Sequence, residues 1–154
     1  ILHDVLFAPF FAGAAGPGHI WHWDVYVDRM NLWWHFGRFA AAIEGIDPPA
    51  EKFRPVEIEH PRLRVYVLAG QKTWLAWCRD RQNTWQTELA EDRPPQPIRE
   101  AAIPLNLPAE WVQSAHWRTY DPWTDKWQEV KLAGDRLVLP EFTRSLVIRA
   151  DRRQ

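Results

Sequence analysis

Residues Gly13–Tyr26 read GAAGPGHIWHWDVY, a run of small residues followed by an indole-rich segment. Small residues allow tight turns and close approach of neighbouring backbone segments. From Gly18 to Asp24 the side chains alternate between two faces, with Trp21 and Trp23 on one face and Asp24 on the other. This alternation predicts a short β-strand at Gly18–Asp24.

Two interpretations of this predicted strand are open. Indole faces beside a carboxylate offer a flat apolar surface for the C–H groups of a sugar ring and an acceptor for its hydroxyls. The same residue types also line ordinary protein cores. The segment therefore predicts either a sugar-binding cleft or a buried core strand.

The composition limits the classes of protein and partner. A chain of 154 residues with 19 basic and 20 acidic side chains is one ordinary domain, or a small domain with an attached piece. The near-neutral charge argues against nucleic acid or an anionic membrane as the partner. The single Cys78 excludes an internal disulfide. The start has no initiator methionine, so we expect it to lie within a longer protein.

The first 47 residues predict a helix, a strand and a second helix. Asp4 is the expected N-cap of a helix to about Ala15, kinked at Pro9. The second helix, Asn31–Glu44, is predicted by an apolar stripe at Leu32, Phe36, Phe39, Ala40 and Ile43. A lone strand between two helices would leave both of its edges unpaired. It therefore needs either a sheet from elsewhere in a larger protein or a place in the sheet that follows.

From about Phe53 the hydrophobic period changes to two, which predicts many short antiparallel strands. Leu63–Ala69 and Thr73–Arg79 flank a short turn and predict a hairpin. The other predicted strands are Thr84–Leu89, Ala101–Leu107, Ser114–Tyr120, Lys126–Leu132, Arg136–Leu139 and Ser145–Ala150. The proline-dense run 93–97 predicts an exposed loop. The expected fold class is mainly β, an antiparallel sandwich of about 8 strands.

The predicted hairpin carries an indole on each face, because Trp74 and Trp77 are an odd number of residues apart. We therefore expect the N-terminal helices to cover one face of the sheet. The histidines 19, 22 and 35 lack the spacing of a helical zinc pair, so we expect neither a metal nor a cofactor.

At this point a family resemblance is visible. The N-terminal part resembles the closing part of a glycoside hydrolase (β/α)8 barrel, through Leu2–Asp4, Gly13–Gly16, Trp21–Asp24 and Asn31–Asp47. The later part resembles the small C-terminal sandwich of cellulase-like and collagenase-associated members, through Trp117–Asp125 and Leu137–Phe142. A departure is Asp125, which stands where that family prefers glycine.

The resemblance implies two units, a helix–strand–helix barrel remnant at residues 1–50 and a β-sandwich domain at residues 51–154. In such barrels the two catalytic carboxylates resemble glutamates at the ends of strands four and seven, which would precede Ile1. The resemblance therefore implies no catalysis by this chain alone, a polysaccharide or oligosaccharide as the ligand, and the missing upstream barrel segment as a partner. It also implies an extracellular or periplasmic location.

The resemblance places Trp21 and Trp23 near the carboxyl end of the eighth barrel strand, where a tryptophan commonly stacks on sugar. Asp24 would accept a substrate hydroxyl or, as we favour, cap the following turn. Independently, Trp123 and Trp127 bracket a turn and are either a sugar platform or, as we favour, part of the hairpin packing. The alternative function is an independent carbohydrate-binding module that uses exposed tryptophans. The apolar stripe of the second helix also predicts a possible homodimer.

Overall fold

The protein is described here by a computed structural model, which covers residues 1–152. Within these residues four α-helices lie at α1 Leu2–Phe11, α2 Trp34–Ala42, α3 Pro48–Glu51 and α4 Ala109–Ser114. The described part of the chain also has nine strands, at β1 Arg54–Ile58, β2 Leu63–Ala69, β3 Thr73–Asp80, β4 Ala102–Pro104, β5 Ala115–Asp121, β6 Lys126–Glu129, β7 Lys131–Ala133, β8 Arg136–Val138 and β9 Ser145–Arg152. Two π-helical turns lie at Trp23–Asp28 and Gln86–Ala90.

The strands form two antiparallel sheets, which confirms the expectation of a mainly β chain. The larger sheet has six strands in the order β1-β2-β3-β9-β5-β6, and the smaller has three in the order β4-β8-β7. The predicted hairpin is confirmed, with β2 and β3 in register from Leu63 opposite Asp80 to Ala69 opposite Trp74. The predicted strand Lys126–Leu132 is two strands, because the chain leaves the larger sheet after β6 and enters the smaller one at β7.

Each face of the six-stranded sheet is buried by a different hydrophobic cluster. Trp74, Ala76 and Cys78 pack with residues of the smaller sheet and α4. Leu75 and Trp77 pack instead with α1 and α2. The expectation that the N-terminal helices cover one face is therefore confirmed.

The predicted strand at Gly18–Asp24 is wrong. Residues 18–22 have no regular structure, and Trp23 begins a π-helical turn. The alternating pattern finds no partner, because the two edges of the larger sheet are β1 and β6. A strand without a neighbour cannot satisfy its backbone N–H and C=O groups, so the local pattern alone does not hold the extended form.

Three further boundaries differ from the sequence predictions. Helix α1 begins before Asp4 and ends at Phe11, so Asp4 lies in the first turn and does not cap it. Asn31 does not cap α2, since it adopts a left-handed φ of 52° and Trp33 holds the N-cap position. The predicted strand Thr84–Leu89 is instead a turn and a π-helical turn. In it Thr84 and Thr87 accept each other's backbone N–H at 3.2 and 2.9 Å, which favours a capped turn over a strand.

One edge strand was missed by the sequence analysis. β1 contains Pro55, which would break a central strand but is tolerated at an edge. Four of its five residues are exposed, so it shows no hydrophobic alternation. The proline-dense run 93–97 has no strand and is mostly exposed, as predicted.

Candidate functional site

The tryptophan-rich segment, which we define as residues 19–34, carries most of the exposed indole surface. Trp21 is 89% exposed and Trp23 is 50% exposed. His22 holds the N-cap of the π-helical turn, so Asp24 does not cap it, and the exposed carboxylate of Asp24 lies in the first turn. Seven of the thirteen large apolar side chains that are exposed lie in the first 34 residues, at Ile1, Trp21, Trp23, Val25, Met30, Trp33 and Trp34.

Trp33 and Trp34 at the start of α2 extend this exposed aromatic character. The indole N–H of Trp33 donates to Asp28 Oδ1 at 3.0 Å, which holds the helix start against the π-helical turn. Trp34 stacks on His35 with 3.6 Å between ring centroids. Trp33 is 44% exposed and Trp34 is 40% exposed, so their polar and stacking contacts leave much of each ring open. Exposed apolar surface on this scale is typical of an interaction site.

Trp123 does not form an exposed platform. Its indole N–H donates to Ser145 Oγ at 2.9 Å, and its ring centroid lies 4.7 Å from that of His3 in α1. The Arg144 guanidinium lies 4.7 Å from the ring centroid. These contacts place Trp123 between the sheet and helix α1.

Trp127 lies on edge strand β6 and has different neighbours. Its ring centroid is 4.9 Å from that of Tyr120, and the Arg118 guanidinium lies 4.4 Å from it. The side chain is 36% exposed. Trp127 is therefore a partly open indole held by a cation and a second aromatic ring.

A buried serine–histidine contact lies beneath Trp123. Ser145 Oγ and His3 Nε2 are 2.7 Å apart, and both side chains are almost fully buried. Burial, reinforced by the charge of His35, lowers the pKa of His3 well below its usual value. His3 is therefore neutral at pH 7, and Ser145 Oγ also accepts a hydrogen bond from the Trp123 indole N–H. With both side chains almost fully buried, the contact packs α1 against β9.

A chain of polar side chains runs beside this contact. Arg79 binds Asp4 through two hydrogen bonds of 2.8 and 3.2 Å, and its Nη1 donates to Asn83 Oδ1 at 2.8 Å. Asn83 Nδ2 donates to Glu88, whose carboxylate forms an ion pair with Arg144. The hydrogen bond from Arg144 is the main reason that the pKa of Glu88 is lowered. Glu88 is therefore a partly buried carboxylate held by Asn83 and Arg144.

Two clefts have the Asp4–Arg79 ion pair in their walls. The larger one, of about 770 Å³, lies between α1 and the β2–β3 hairpin. The smaller one, of about 160 Å³, reaches the buried His3. Sequence reasoning missed both, because Asp4 and Arg79 are 75 positions apart and nothing local pairs them.

Within residues 1–152 no group of three or more His, Cys, Asp or Glu side chains is arranged to hold a metal ion. No helix in the same part of the chain is long and apolar enough to span a bilayer. Comparison of the chain with protein-family models gives no match, and comparison with the curated proteins gives none either.

Proposed function

We propose that this chain is the C-terminal part of a carbohydrate-active enzyme of the glycoside hydrolase class. In this proposal residues 51–154 form an accessory β-sandwich, and residues 1–50 are the end of a (β/α)8 barrel. The observation that carries the proposal is the concentration of exposed indoles in the tryptophan-rich segment, with Trp21 89% exposed. An apolar surface of this kind is expected to bind a partner or a sugar.

The irregular backbone at residues 18–22 is consistent with this proposal. A barrel strand is held by a neighbouring strand on each side, and an isolated segment cannot supply these hydrogen bonds. Helices α1 and α2 keep their form without the rest of a barrel because they pack on the six-stranded sheet.

The chain by itself is not proposed to catalyse hydrolysis. Glycoside hydrolysis needs two carboxylates on opposite sides of the scissile bond, one of them protonated. The buried Asp80 and the partly buried Asp4 and Glu88 each pair with an arginine instead. The hydrogen bond from Arg144 lowers the pKa of Glu88, which does not suit a general acid.

The proposed partners are a polysaccharide or oligosaccharide and the upstream barrel segment, in an extracellular or periplasmic setting. When the upstream segment is absent, we expect the exposed indoles to contact a second copy of the chain. Such a homodimer would substitute for the natural cover of this surface.

The test compares residues 1–154 with a longer protein that includes the coding sequence upstream of Ile1. We expect the longer protein to hydrolyse a polysaccharide or an aryl glycoside and residues 1–154 to show no turnover. Light scattering of both proteins reports whether the upstream segment suppresses self-association. Turnover by residues 1–154 alone, or an upstream segment without a glutamate-tipped strand, would contradict the proposal.

The second candidate function is an independent carbohydrate-binding module, which the partly open Trp127 ring favours. Affinity electrophoresis of residues 1–154 in gels of glucan, xylan or mannan separates the two. Retardation that is lost in Trp127→Ala but kept in Trp21→Ala would support the module. Trp123→Ala is a poor probe, because Trp123 is a packing residue.

A further inference from the structure

The larger cleft has walls from three parts of the chain. Helix α1 contributes Asp4 and Val5, strands β2 and β3 contribute Arg64 and Trp77, and the segment after β3 contributes Trp85. Its volume of about 770 Å³ lies within the roughly 300–1,000 Å³ of small-molecule sites. One sugar ring with substituents fits in such a space.

The charge balance of this cleft is positive. Its wall contains the two carboxylates Asp4 and Asp80. Asp4 is bound by Arg79, and Asp80 is bound by Arg62 through hydrogen bonds of 2.9 and 3.0 Å. Both carboxylates are thereby neutralised locally.

Two further arginines in the same wall have no carboxylate partner within residues 1–152. They are Arg64, which lies opposite Arg79 in the β2–β3 ladder, and Arg81. Arg81 Nε donates to the carbonyl of Leu63 at 2.8 Å, which orients its guanidinium. The terminal N–H groups of Arg81 remain available to a ligand. A guanidinium of fixed orientation favours bidentate binding of a carboxylate, phosphate or sulfate.

The cleft also has an aromatic wall. The rings of Tyr66 and Trp77 stack at 5.5 Å between centroids, and Trp85 is 64% exposed. The buried indole N–H of Trp77 has no acceptor among the described residues. Aromatic faces beside oriented cations fit a ligand that carries both a ring with apolar C–H groups and a negative charge.

We propose that this cleft binds an anionic sugar residue, one whose ring carries a carboxylate, a phosphate or a sulfate. Arg64 and Arg81 bind the anionic group, and Tyr66 and Trp85 contact the ring. Trp77 is 1% exposed and reports binding through the Tyr66 ring that stacks on it. The sugar part of this proposal rests on the proposed function, whereas the anion part rests on the two arginines alone.

The test is a titration of ¹⁵N-labelled protein, followed at the indole N–H resonance of Trp77, which Trp77→Phe assigns. The ligands are D-glucuronate, glucose 6-phosphate, glucose 6-sulfate, neutral glucose and inorganic phosphate. We expect at least one anionic sugar to shift the resonance saturably, with weaker binding at high salt. Arg64→Ala/Arg81→Ala should weaken that binding by more than about tenfold. Arg54→Ala, an exposed arginine of β1, is the matched control and should bind as the unaltered protein does.

Each result supports or overturns the proposal. Equal binding of glucose, or binding that survives Arg64→Ala/Arg81→Ala, overturns it. Equal affinity for inorganic phosphate and glucose 6-phosphate would show that the sugar ring contributes nothing to binding, and it would overturn the sugar assignment. Hydrolysis of a neutral polysaccharide by the longer protein, without a response to any anionic sugar, would overturn this inference and leave the proposed function standing. Binding of an anionic sugar by this chain, together with no hydrolysis by the longer protein, would support this inference and contradict the proposed function.

Discussion

His3 Nε2 lies 2.7 Å from Ser145 Oγ, although the two residues are 142 positions apart. The contact joins the first turn of α1 to the first residue of β9, a central strand of the larger sheet. Protonation of His3 would place a charge in this buried contact, and burial disfavours that charge by lowering the pKa of His3. Attachment of the N-terminal helix therefore depends on the protonation state of one buried imidazole.

Stability should fall as the pH is lowered from about 6.5. Burial lowers the pKa of His3, and burial lowers the pKa of His35 to about 4. Below about pH 6.5 the unfolded chain takes up protons that the folded chain does not, at about 1.4 kcal/mol per pH unit for each histidine. Urea unfolding at pH 7.5, 6.5 and 5.5 measures this slope.

The variant His35→Phe isolates one histidine. It keeps an aromatic ring against Trp34 and removes Nδ1, which is buried without a partner among the described residues. We expect a shallower slope below pH 6.5 and little loss of stability at pH 7.5. His22→Phe, at an exposed position, serves as the control. An unchanged slope in His35→Phe would mean that other groups carry the pH dependence.

The strands were largely predictable, because a buried strand has a local signature. The β2–β3 hairpin, β5 and β9 alternate between two packed layers, and their sequences have the matching apolar pattern. Residues 18–24 have a similar pattern but no neighbouring strand, so the pattern wrongly predicted a strand there. Edge strand β1 is mostly exposed and therefore lacks the apolar alternation that predicts a strand.

The polar contacts of the site could not be predicted in the same way. Asp4 and Arg79, or His3 and Ser145, meet only because α1 packs across the sheet. No sequence spacing encodes such a crossing. What the sequence did indicate was that one face of the sheet is covered by the N-terminal helices, since Trp74 and Trp77 face opposite ways.

Gly18→Ala should destabilise the protein. A Cβ at Gly18 would collide with the carbonyl oxygen of Val5 in α1 and press on Pro9 Cγ at 3.0 Å. The expected loss is about 1–3 kcal/mol, because the backbone carbonyl cannot give way without moving the helix. Gly37→Ala is the opposite case, since nothing lies within 4 Å of its Cβ, and α2 should gain about 0.5–1 kcal/mol. Chemical denaturation of both variants measures the change in the free energy of unfolding. An equal loss of stability in Gly37→Ala and Gly18→Ala would refute the argument.

Glu51 holds the turn of the β2–β3 hairpin. Its carboxylate accepts from the backbone N–H groups of Lys72 at 2.9 Å and Thr73 at 3.0 Å. Glu51→Ala leaves these donors without their acceptor, and we expect a loss of about 2–3 kcal/mol. Both N–H groups donate to Oε2, so the amide oxygen of Glu51→Gln can keep both bonds, and this variant should lose less than Glu51→Ala. Glu57→Ala, at an exposed position of β1, is the matched control, and an equal effect there would show that the turn contacts contribute nothing.

Removal of residues 1–50 should lower the solubility of the remaining chain. The face of the sheet under α1 and α2 carries five side chains that are at most 1% exposed in the whole chain, namely Leu68, Leu75, Trp77, Tyr120 and Val147. Without Phe7, Phe11 and their neighbours this face becomes a contiguous apolar surface of the kind that associates. We expect residues 51–154 to bind a hydrophobic dye and to form oligomers in light scattering. A peptide of residues 1–50 added in trans should reverse both effects, and Phe7→Asp/Phe11→Asp in that peptide should abolish the rescue. A monomeric residue 51–154 fragment that binds no dye would show that the helices are dispensable to the sheet.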